Sequence, residues 1–142
     1  MLKRNAANGF RAVEKIERKI MAHRLAICLQ IKMMNIEITI KEFEKEVLAG
    51  SHLSIVQFKT AWNGACEIIA PVYEDLANSY TNVAKFFTID ADKEKKVSNQ
   101  FRINETPTIL FFQNGVVIDY AIGLISRNTL ITKIENALSN TN

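Results

Sequence analysis

Two apolar runs, Ile109-Leu110-Phe111-Phe112 and Val116-Val117-Ile118, stand on either side of Asn114-Gly115. An Asn-Gly pair between apolar runs is the strongest short-range signal of a β-hairpin, because both residues accept the positive φ angles of a type I′ turn. The hairpin fixes one antiparallel pair near the end of the chain. Everything upstream reads differently, as single strands separated by helical periods.

Ile36, Ile38 and Ile40 alternate with Glu37 and Thr39, which predicts a short half-buried strand. Thr39 and Glu42 have the spacing of a capping box, which opens a helix through about Leu48 before Gly50 stops it. The largely apolar stretch from Leu53 to Phe58 suits a central strand covered on both faces. Ile68, Ile69, Val72, Tyr73, Leu76, Ala77 and Tyr80 recur at helical spacing, with Pro71 expected to kink that helix. Residues 83–89 return to strand, and Asp92 is placed to cap a short charged helix holding Val97 and Phe101. A last helix starts near Ser126, with Leu130, Ile131, Ile134, Ala137 and Leu138 on one face. The order β-α-β-α-β-α-β-β-α predicts an α/β fold: a mixed central sheet flanked by helices on both faces.

Charge divides the chain in two. Residues 1–34 hold eight Lys or Arg against two Glu, a balance of +6, whereas residues 35–142 balance at −3. The basic excess therefore belongs to an N-terminal extension (1–34) and says nothing about partners of the main domain (35–142). Phe10, Val13, Ile16 and Ile20 give that extension a helical period. Other readings of it stay open: a targeting segment, a helix lying on a membrane surface, or an upstream start preceding Met33 or Met34. Its apolar stretch from Leu25 to Leu29 is short and ends at Gln30, which makes a poor export signal. No apolar run approaches the roughly 18–20 residues that cross a bilayer.

Two cysteines, Cys28 and Cys66, lie far apart, which resembles no disulfide framework and suits a reducing compartment, the cytoplasm. His23 and His52 are isolated, so no metal is expected, and no cofactor or phosphate-binding glycine motif is present. No basic patch interleaved with aromatics supports nucleic-acid binding.

At Phe58-Lys59-Thr60-Ala61-Trp62-Asn63-Gly64-Ala65-Cys66 a buried strand ends and a helix opens. With Pro71 inside that helix, Thr106-Pro107-Thr108 before the hairpin and Gly123 after it, residues 35–140 resemble thioredoxin. The resemblance implies the thioredoxin fold and a cis bond before Pro107. It also implies a groove between Trp62, Pro107 and Gly123 that holds an extended peptide, lined further by Asn63, Gly64, Ala65 and Thr106.

The departures from the family bear on activity. Thioredoxins read Trp-Cys-x-x-Cys, and here the first cysteine is Asn63, so only the resolving position, Cys66, keeps sulfur. A disulfide exchange passes through a mixed disulfide that a neighbouring thiol must resolve. The resemblance also places Gln57 where the family has a buried aspartate, and Phe86 where it has a buried lysine. Asn63 instead suits a helix N-cap, and Glu67 suits the positive helix end. Cys66 is then either an inert buried thiol or, as the only remaining catalytic candidate, a lone thiol forming mixed disulfides. Cys28 reads as packing. Trp62 is either a contact for a protein or peptide partner or a cap over the helix start. The sequence thus favours a binding module without dithiol chemistry, with a monothiol redox protein as the alternative.

Overall fold

The computed structural model describes residues 35–141, together with Lys15 and residues 18–20, which are helical. The expectations for Phe10, Val13, Ile16, His23 and Cys28 lie outside the described residues. The chain divides after Met33.

The isoleucine alternation that opens the domain yields a strand of only three residues, β1 (Asn35–Glu37). Ile38 is buried and still donates its N–H to Thr88, but Ile40 is not in the strand. The competing capping signal wins there: Glu42 accepts from the N–H and the hydroxyl of Thr39, so Ile40 begins α1 (Ile40–Phe43). That helix continues as five residues of π-helix, Glu44–Leu48. Then come β2 (Ser54–Lys59), α2 (Gly64–Tyr80), β3 (Lys85–Asp90), α3 (Lys95–Gln100), β4 (Thr108–Gln113), β5 (Val116–Ile122) and α4 (Arg127–Asn140). The helix α2 runs on through Pro71 as one element, although a proline there cannot donate to Glu67. The expected cap on α3 is corrected: Asp92 does not serve it. Asp90, at the end of β3, instead accepts from the N–H groups of Asp92 and Lys93 and shapes the turn before the helix.

The strands form one mixed sheet in the order β1-β3-β2-β4-β5, with β1, β3 and β2 parallel and β4 and β5 antiparallel. Alternate residues of each strand point to opposite faces, so the sheet builds two cores. Ile55, Phe86, Ile109 and Phe111 pack with Ile69, Tyr73 and Leu76 of α2 and Leu130 and Ile134 of α4. Val56, Phe58, Phe87 and Phe112 pack with Phe43 and Val47 of α1 and its π turn and with Val97 of α3. In this second core Phe43, Phe101 and Phe112 meet edge to face with centroids 5.3–5.5 Å apart, each pair adding about 0.5–1.5 kcal/mol beyond its buried area.

The hairpin turn has positive φ at both Asn114 and Gly115, as a type I′ turn requires. Gly115 is also fixed by space: a Cβ there would meet the carbonyl oxygen of Leu48. Among the described residues no helix is long and apolar enough to cross a membrane.

Candidate functional site

Beyond Lys59 the chain leaves the sheet, turns through Thr60, Ala61 and Trp62, and enters α2 at Gly64. Trp62 has a φ of 61°, a conformation that bulky residues rarely adopt. Its side chain is 98% exposed, so it covers neither the helix start nor any neighbour. The reading of Trp62 as a cap is therefore corrected.

Asn63 has extended backbone and is the N-cap of α2. Its Oδ1 accepts from the N–H groups of Ala65 at 2.9 Å and Cys66 at 3.3 Å, two donors that would otherwise lack a partner at the helix end. Its Nδ2 turns the other way and donates to the carbonyl oxygen of Thr106 at 3.1 Å and to Thr106 Oγ1 at 3.2 Å. The carboxamide thus has both ends engaged, one within the helix and one on the loop before β4. Thr106 Oγ1 also shares a 2.7 Å hydrogen bond with Thr60 Oγ1. Thr60, Asn63 and Thr106 form one polar clasp between the two loops.

The Thr106–Pro107 peptide bond is cis. Pro107 is buried, and its carbonyl accepts the N–H of Gly123 at 2.7 Å. Gly123 has a φ of 75°, and a Cβ there would come within 3.2 Å of Glu105 Oε1, so a larger residue would crowd the loop. The structure therefore joins Asn63 to Thr106 and Pro107 to Gly123. Gly64 and Ala65 lie in the first turn of α2, and a Cβ on Gly64 would meet nothing within 4 Å.

Cys66 is a free, buried thiol on the inward face of α2. It borders a surface pocket of about 380 Å³ that Lys59, Trp62 and Glu67 also line. Two turns further along the same face Tyr73 is fully buried. Its single hydroxyl proton is shared between the carbonyl oxygens of Ile55 and Phe87, each at 2.8 Å, across the β2–β3 boundary. Burial pushes its pKa well above 10. Phe86 packs edge to face on Tyr73 at 5.5 Å, and Gln57 is buried on β2. No carboxylate or ammonium group stands at either of these two positions. Among the described residues no three His, Cys, Asp or Glu side chains cluster as a metal site would.

Thr60 and Tyr73 are the members that sequence reasoning missed. The helical period of α2 marks Tyr73 as core but not its hydroxyl as a strand tie. Thr60 lies 46 residues from its partner, and no local pattern announces such a pairing.

Comparisons with known proteins agree with the fold. The family model described as Thioredoxin matches residues 34–136. Thioredoxin 1 of Synechococcus elongatus is 30% identical over 101 residues, covering 71% of this chain and 94% of that protein. The chloroplastic M-type thioredoxin of Spinacia oleracea is 34% identical over 96 residues, covering 67% of this chain and 53% of that one. The crystal structure of Malassezia sympodialis thioredoxin superposes with a TM-score of 0.67 at 25% identity, over 73% of this chain and 90% of that one.

Proposed function

This chain belongs to the thioredoxin family, and from that premise we propose that it is a binding module of that fold that holds an extended segment of a partner protein without cycling a disulfide. The observation that carries this reading is the state of Asn63. Its carboxamide stands where the family has its exposed nucleophile, with both ends hydrogen-bonded, while the one sulfur of the segment is buried behind it. A nucleophile must present a thiolate to the incoming disulfide, and a second thiol must resolve the adduct. Asn63 supplies neither. The reading of Trp62, Thr106, Pro107 and Gly123 as a groove is supported by an exposed indole suited to anchoring a partner, and by the Pro107–Gly123 hydrogen bond beside the Asn63–Thr106 tie. A buried free thiol fits a reducing compartment, so we place the protein in the cytoplasm.

Insulin reduction by dithiothreitol tests the reading. Turnover equal to that without the protein is expected, and Cys66→Ser should leave it unchanged. Turnover above that background that disappears in Cys66→Ser would overturn the proposal.

The monothiol reading keeps one favourable observation, the pocket that Cys66 borders with Lys59 and Trp62. In that chemistry the Cys66 thiolate attacks oxidised glutathione, forms one mixed disulfide and releases one reduced glutathione. Mass spectrometry after incubation with oxidised glutathione separates the two readings. Rapid addition of one glutathione at neutral pH favours the monothiol reading, and an unmodified native protein favours the binding module.

A further inference from the structure

A segment bound as an added strand needs main-chain donors and acceptors that its host does not already use. Around the cis peptide bond few remain. The Glu105 carbonyl accepts from Thr108 Oγ1 at 2.6 Å, and the Pro107 carbonyl accepts from Gly123 at 2.7 Å. Pro107 has no N–H to give. At Thr106, which is half-buried, the two main-chain groups differ. Its N–H donates to no group among the described residues, whereas its carbonyl oxygen already accepts from Asn63 Nδ2 at 3.1 Å.

An antiparallel guest residue facing Thr106 exchanges both of its main-chain groups with it. The guest carbonyl finds the Thr106 N–H. The guest N–H finds an oxygen that it must share with Asn63 Nδ2, or from which it must displace that nitrogen and open the clasp. A guest residue without an N–H meets no such conflict, and proline is that residue. The exposed indole of Trp62 points the same way. Aromatic surfaces dock proline-containing segments, whose extended backbone loses little entropy on binding.

We propose that Asn63 sets the specificity of the groove: by engaging the Thr106 carbonyl it selects a partner segment with proline opposite Thr106 and neighbouring residues laid on Trp62. This inference rests on the binding-module reading and goes beyond it by naming the chemistry of the segment. The Asn63 carboxamide fills the place that a guest N–H takes in an ordinary strand pair.

Random peptides displayed on phage, selected against the full chain and screened on Trp62→Ala, supply the probe. A synthetic copy of a selected peptide is then compared with copies carrying alanine or N-methylalanine for its proline. Binding is read by fluorescence of Trp62, the single tryptophan. Selected peptides should share a proline at one position and lose binding to Trp62→Ala. The alanine copy should bind the unaltered protein about fivefold more weakly, the worth of one hydrogen bond left unmade. The N-methylalanine copy, which lacks both the ring and the N–H, should keep most of the affinity. Asn63→Ser keeps a capping oxygen and loses the nitrogen that reaches Thr106. In that variant the alanine copy should gain about fivefold and match the proline peptide.

Peptides that need Trp62 but bind equally with proline or alanine overturn this inference and leave the proposed function standing. A preference for proline that persists in Asn63→Ser also overturns it. So does an N-methylalanine copy as weak as the alanine one, a comparison made on the unaltered protein and independent of how the variant folds. Failure to select any peptide that depends on Trp62 removes the proposed function, and this inference with it.

Discussion

The starts of α1 and α2 are both capped, yet they use their polar groups in different ways. At α1 the cap is local: Glu42 accepts from the N–H and hydroxyl of Thr39, three residues away, and the pair is exposed. At α2 only half of Asn63 serves the helix. The other half reaches 43 residues along the chain to Thr106, in a partly buried setting. A helix start needs only the first kind of cap. The second kind ties the turn after β2 to the loop before β4, the two segments that frame the proposed groove. The difference teaches that Asn63 does more than cap its helix: it ties two distant loops together.

The strongest way to break this comparison is to restore the chemistry. Asn63→Cys recreates Trp-Cys-x-x-Cys, removes the clasp and should give slow insulin reduction. Adding Gln57→Asp places a proton acceptor on the buried face of β2, and the rate should rise about a hundredfold, the lower end of general acid–base contributions. Equal rates in the single and double variants would show that the missing base was not what limited exchange. No activity in either would mean that the α2 start has been reshaped beyond its residue identities.

Next in size is the stability of the clasp itself. Asn63→Ala loses the cap and both bonds to Thr106, for an expected cost of about 2 kcal/mol. Asn63→Asp keeps the cap oxygen and loses the donor to Thr106, for about 1 kcal/mol. Thr39→Ala should cost under about 1 kcal/mol, since its bonds are exposed and serve one helix. Urea denaturation of the three variants gives the ranking directly. If Asn63→Asp equals the unaltered protein, the tie to Thr106 contributes nothing and the two helix starts are alike.

The core behind α2 sharpens the same contrast with a somewhat smaller effect. Tyr73→Phe removes one hydroxyl shared by two strand carbonyls and leaves the edge-to-face contact with Phe86 in place. The expected loss is about 1 kcal/mol, read as a fall of about 4–8 °C in Tm. No change would mean that the sheet ladder alone satisfies Ile55 and Phe87.

Much of this was legible in the residues, because the signals involved are local. Asn114-Gly115 announces its turn, Thr39 and Glu42 their cap, and the period of α2 its buried face. Ile40 belongs to the helix because alternation and capping overlap there, and a hydrogen-bonded helix start outweighs the weak pattern of a three-residue strand. Asp92 lies in a turn that Asp90 organises by accepting the N–H groups of Asp92 and Lys93, and α3 starts beyond it with no side-chain cap. Within the site, Asn63 is readable as a cap. Its reach to Thr106, and the hydroxyl pair of Thr60 and Thr106, depend on where β4 returns beside β2, which no short stretch encodes.

The smallest expected effect separates the two helix starts by pH. Hydrogen bonds from Thr39 hold the Glu42 carboxyl below its ordinary value of 4.5. A carboxyl whose folded pKa is depressed contributes stability above its unfolded pKa and loses it as pH falls through the folded value. Glu42→Gln keeps an oxygen that accepts from Thr39 but never carries the charge. Its Tm deficit relative to the unaltered protein should therefore be present at neutral pH and disappear in acid, as pH falls below 4.5 and through the lowered folded value. Asn63 has no proton to lose, so the deficit of Asn63→Ala should stay level over the same range. A deficit for Asn63→Ala that shrinks in acid alongside that of Glu42→Gln would mean that a carboxyl, Glu67 being the nearest in the first turn of α2, sustains the clasp.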